Sequence, residues 1–209
     1  TPPFTQLNTP YPASAYLKGF LNTKGIPSVQ ADLGIEVTLA LFNKEGLTKL
    51  FKAIRSKEWE LSANCQRILA LENNYINTID QVILFLQGKL DTIAHLICSR
   101  SFLPEASAFE QLDDLHWAFG AMGKQDKAKH IATMYLEDLG NLIKETIDPH
   151  FGFSRYAVSL GRSANTFDEL YAALNAPVTY LDSVLLEILE KHIQSVQPKL
   201  VCISVPFPG

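Results

Sequence analysis

Two stretches decide the fold: TPPFTQLNTPYPASAYLKGFLNTKGIPSVQADL at residues 1–33 and PKLVCISVPFPG at residues 198–209. In the first, Thr1-Pro2-Pro3-Phe4 reads as a turn. Proline lacks the N–H that a strand ladder needs, so the Pro-Pro pair suits the end of a strand rather than its interior. Ala13, Tyr16, Leu17, Phe20 and Leu21 then recur at three- and four-residue steps, which predicts a helix over 13–24, closed by Gly25. Ile26 to Asp32 predicts a short strand, with Pro27 tolerated near its start. In the second stretch, Leu200 to Val205 predicts another strand, running into a Pro-rich turn. These are pieces of one parallel α/β sheet, of the kind that holds a cofactor at the carboxyl ends of its strands. The chain opens on Thr1 without a methionine and closes as the last strand ends. A first strand upstream of Pro2-Pro3 is therefore expected, and the sheet is expected to be incomplete.

Between these stretches the periodicity is helical. Ile35 to Arg55 carries Val37, Leu39, Ala40, Leu41, Phe42, Leu47, Leu50, Phe51 and Ile54, with Gly46 expected to break it into two helices. Ile79 to Ile97 places Ile79, Val82, Ile83, Leu86, Leu90, Ile93, Ala94 and Ile97 on one face. Ala128 to Ile147 reads as a further helix, closed by Pro149. Thr166-Phe167-Asp168-Glu169 has the pattern of a capping box opening a short helix that ends near Pro177. Leu181, Val184, Leu185, Ile188, Leu189, His192, Ile193 and Val196 trace one stripe along the last helix. The expected organisation is α/β but mostly helical. Residues 1–34 and 198–209 form a split, incomplete α/β unit, and 35–197 form a large inserted helical subdomain.

Bulk properties exclude several classes. A chain of 209 residues, 47% hydrophobic and 19% charged, is long enough to bury a sizeable core. Its formal net charge of −4 speaks against a nucleic-acid surface, which needs clustered Lys and Arg. The densest cationic stretch, Lys124 to Lys129, holds Asp126 inside it. Cys65, Cys98 and Cys202 are far apart with no CxxC spacing, so no cysteine-ligated cluster or zinc is expected within the chain. An odd cysteine count without a signal peptide fits a reducing cytoplasm. Apolar runs such as Val82 to Leu86 stop well short of a membrane span, and no membrane partner is expected.

Candidate chemistry is sparse. Asp91 with His95 (i,i+4) and Asp113 with His116 (i,i+3) each suit one helix face, and the two pairs would make a metal site if they converged. A helix-surface ion pair or a capped histidine is the favoured reading. His192, on an apolar stripe, reads as a partly buried helix residue. In His150 to Tyr156, Arg155 together with Arg162 would suit an anion, although a loop that plugs its aromatics into the helical core is favoured. HExxH, GxSxG, GxGxxG and Walker patterns are all missing, so no catalytic residue is assigned and a nucleotide held by its pyrophosphate is not expected. The loops Thr1-Pro2-Pro3-Phe4 and Ser204-Val205-Pro206-Phe207 would suit the underside of a large flat ligand, with Ser204 donating a hydrogen bond, or would merely turn the chain.

The same residues carry a family resemblance. Pro2-Pro3, Tyr11-Pro12 before a helix, Lys24-Gly25 at its end, Asp32-Leu33 after the second strand and Val201-Cys202-Ile203-Ser204 resemble the amino-terminal region of B12-binding-domain radical SAM proteins. The match spans about a fifth of the chain, and its motifs mark a fold more than a catalyst. The resemblance implies a partial Rossmann-like unit with Pro2, Pro3, Phe4, Ser204 and Pro206 as cofactor-binding positions, and cobalamin as the cofactor of this region. It implies a [4Fe-4S] cluster and S-adenosylmethionine in a downstream radical SAM domain of the same polypeptide. The sequence departs from the pattern in two places. It has no DxHxxG cobalamin-ligating motif, and the CxxxCxxC of the radical SAM barrel would lie beyond Gly209. The helical stretch is also far longer than the usual link between second and third strands, and the reading that competes is a degenerate scaffold carrying a helical interaction module.

Overall fold

A computed structural model describes residues 12–110, 123–149, 151–153 and 167–203, and these are mostly helical. The chain divides into two compact units: residues 1–40 with 152–209, and residues 41–151. The sequence reading placed the divisions at 34/35 and 197/198.

In the unit built from the two chain ends, α1 (Pro12–Thr23) ends as expected. Gly25 takes φ +68° and closes it, a conformation that costs a glycine little. The expected strand over Ile26–Asp32 does not form, and 198–203 is likewise irregular. Among the described residues there is no strand at all. The parallel α/β, Rossmann-like sheet is thus not supported by the described residues, and Ser204 and Val205 lie outside them. The physical reason is that strand propensity is expressed only against a paired neighbour, and among the described residues neither segment has one. Asp32 does something different from ending a strand: its Oδ1 accepts the backbone N–H of Gly34 (3.1 Å) and Ile35 (3.3 Å). It thereby starts α2 (Leu33–Leu41) two residues earlier than the apolar periodicity indicated.

The 41–151 unit has a closed core. The break after α2 falls at Phe42-Asn43 rather than Gly46, because the Asn43 side chain accepts from the Gly46 N–H (2.8 Å) and caps α3 (Lys44–Arg55). The Lys44 N–H donates to Asp80 (2.9 Å), a second ligation of the same helix start. Leu47, Leu50, Phe51 and Ile54 form the buried stripe of α3 at the i, i+3, i+4, i+7 spacing. Next come α4 (Ala63–Ala70) and α5 (Glu72–Leu86), the latter packed against α3. The single helix expected over 79–97 is interrupted: α5 stops at Gln87, and Gly88 (φ +69°) turns the chain. A 3-10 turn at Asp91–Ile93 then leads into α6 (Ala94–Cys98). The periodicity survives the break because Ile93, Ala94 and Ile97 still point inward. The long α7 (Lys124–Thr146) packs on α4, α5 and α6 and buries Ile131, Met134, Tyr135, Leu139, Leu142 and Ile143.

Back in the first unit, α8 (Phe167–Leu174) is followed by α9 (Tyr180–Val196). Thr166 of the expected capping box lies outside the described residues. A capping box does form at α9, where Thr179 and Asp182 exchange hydrogen bonds of 3.1 and 2.8 Å. No described helix is long and apolar enough to cross a membrane.

Candidate functional site

The most elaborate polar arrangement lies inside the 41–151 unit. Asp138 faces inward from the middle of α7 and is fully buried. Its Oδ2 accepts the Ala106 N–H (2.9 Å) and the Tyr75 hydroxyl (3.3 Å), and its Oδ1 accepts the Ala108 N–H (3.0 Å). The Tyr135 hydroxyl donates to the Tyr75 carbonyl (2.9 Å) and lies 3.0 Å from the Thr78 hydroxyl. The two tyrosine rings pack with centroids 5.0 Å apart, tilted by 32°. Burial pushes the Asp138 carboxyl above the usual carboxylate range, and its three donors offset only part of that rise. Burial likewise raises both phenols well above their ordinary values, and the Asp138 charge adds to the rise at Tyr75.

What this cluster holds is the 103–109 loop. Leu103, Ala106 and Phe109 plug into the core. The Ser107 N–H donates to Asn64 (2.9 Å), and Arg67 Nε donates to the Glu105 carbonyl (2.8 Å). Arg100, whose backbone takes φ +59°, forks onto the Glu105 carboxylate with bonds of 3.0 and 2.8 Å. The arrangement is a clamp: these bonds tie the 103–109 loop to other parts of the same unit.

A second cluster joins α4 to α7. Ser62 caps α4 by accepting from the Cys65 N–H (3.2 Å), and its hydroxyl donates to Glu145 Oε2 (2.8 Å). The Ser62 N–H donates to Glu145 Oε1, and the Cys65 thiol donates to Oε2 (3.0 Å). Burial, then the Glu145 contact, pushes the Cys65 thiol up to about 12. Partial burial works against the Glu145 charge, but the Cys65 and Ser62 hydrogen bonds outweigh it and hold the carboxyl below its ordinary value. A thiol so raised is a hydrogen-bond donor and not a nucleophile. Thiol reagents at pH 8 are expected to label the exposed Cys202 fastest and Cys98 more slowly, with Cys65 reacting only on unfolding. Mass mapping of alkylated peptides checks this, and early labelling of Cys65 would contradict the buried geometry. Ser62→Ala is expected to cost about 1 kcal/mol through loss of the cap, read by urea denaturation.

The residues singled out from the sequence are dispersed. Pro2, Pro3, Phe4, Ser204 and Pro206 lie outside the described residues, as do Asp113, His116, His150, Arg155 and Arg162. Asp91 sits in the 3-10 turn, while His95 Nδ1 lies 2.8 Å from the Thr92 carbonyl, which is the capped histidine favoured above. Among the described residues, no group of three or more His, Cys, Asp or Glu side chains is placed to hold a metal. His192 is half-buried as expected, and its Nε2 meets Glu36 of α2 at 2.6 Å. Asp138 and Tyr75 escape sequence reading, and Tyr135 is legible only as a residue of the apolar stripe over 128–147, not as a hydrogen-bonding partner. A lone Asp on an apolar helix stripe is the available signal, but its partners lie 30, 32 and 63 residues away.

The unit of the chain ends differs in its surface. Apart from Leu84 and Leu96, every exposed large apolar side chain among the described residues belongs to it. Tyr16, Leu17 and Phe20 line one face of α1, Leu186, Ile193 and Val196 lie on α9, and Ile26, Val29, Leu200, Val201 and Ile203 stand on the irregular segments.

Comparison with protein-family models, with curated proteins and with solved structures found no match to this chain.

Proposed function

We propose that this chain is the amino-terminal cofactor- or substrate-binding region of a radical SAM enzyme, and that it performs no catalysis by itself. The observation that carries the reading is the distribution of uncovered apolar surface, concentrated in the unit made by the two chain ends. On this proposal those exposed side chains contribute to a contact face. Within it, α1 and α9 are each followed by a residue of positive φ, Gly25 (+68°) and Gln197 (+48°), and then by an apolar segment of strand-like sequence. On this proposal Ile26–Asp32 and Leu200–Val205 complete a Rossmann-like sheet when further strands pair with them. The loops holding Pro2, Pro3, Phe4, Ser204 and Pro206 then lie at its cofactor edge. Cobalamin is the ligand the sequence resemblance implies there. The [4Fe-4S] cluster and S-adenosylmethionine belong to the downstream radical SAM domain that serves as this region's partner. The three free cysteines fit a reducing cytoplasmic setting. On this proposal the 41–151 unit, with its closed core, lies within the helical insertion that the sequence places over 35–197.

The test is an ultraviolet–visible titration of the anaerobically reconstituted enzyme carrying this region with hydroxocobalamin, followed by gel filtration. A co-eluting corrinoid spectrum near one equivalent is expected. An intact iron–sulfur band with no retained corrinoid would overturn cobalamin binding and leave the chain as a scaffold bearing a helical interaction module.

A further inference from the structure

We draw no further inference here: the strongest candidate, the apolar seam of Leu186, Leu189, Ile193 and Val196 along the last helix, belongs to the contact face already used for the proposed function, and nothing in the structure shows what else covers it.

Discussion

Replacing Asp138 with alanine is expected to destabilise the 41–151 unit by about 3–4 kcal/mol, because two backbone N–H groups and the Tyr75 hydroxyl lose their acceptor inside the core. The loss is local in origin. Hydrogen exchange at the Ala106 and Ala108 amides should accelerate before the protection of α3 and α5 is affected. Asp138→Asn keeps one acceptor oxygen and turns an amide NH2 toward the remaining donors, so its cost is smaller. The pH dependence separates the two roles of the carboxylate. Burial raises the native carboxyl above its unfolded value, so the folded chain binds a proton more readily than the unfolded one. The stability this confers is complete below the unfolded value and is lost as pH rises through the native one. Glu145 has the opposite sign: its lowered carboxyl contributes stability above the unfolded value that disappears as pH falls through the native one. Urea denaturation across the acid range should show Asp138→Asn removing the first slope and leaving the second. An unchanged pH profile, with amides still protected in the alanine variant, would refute the clamp.

Phe51→Ala is expected to cost about 3–5 kcal/mol, the transfer loss of the ring plus the cavity it leaves in a fully enclosed site. The matching substitution in the other unit, Phe20→Ala, removes a ring that is 58% exposed and should stay within about 0.5 kcal/mol. The contrast tests the assignment of a closed core to one unit and a contact face to the other. Equal destabilisation of both variants in the chain alone, measured by chemical denaturation, would mean that Phe20 is already covered.

Much of the helical architecture was legible. The stripes in α1, α3, α7 and α9 repeat every three or four residues, the spacing that gathers apolar side chains on one face of a helix. Helix ends were less legible, since they depend on single side chains. Asn43 moved one break away from Gly46, Asp32 started α2 where a strand was expected to end, and Gly88 divided an unbroken apolar pattern. The clamp around Asp138 was not legible, because it joins residues from α5, α7 and the 103–109 loop that only packing brings together.

By itself the sequence determined the helical periods and the scatter of its Lys and Arg, which follow from composition and from spacing within a few residues. Only the tertiary structure decided which apolar faces are closed and which stay open, since burial is a property of neighbours distant in the chain. For the same reason it decided that the strand-like segments at 26–32 and 200–203 stay irregular among the described residues: an apolar β-branched run becomes a strand only when another backbone lies beside it to take its hydrogen bonds.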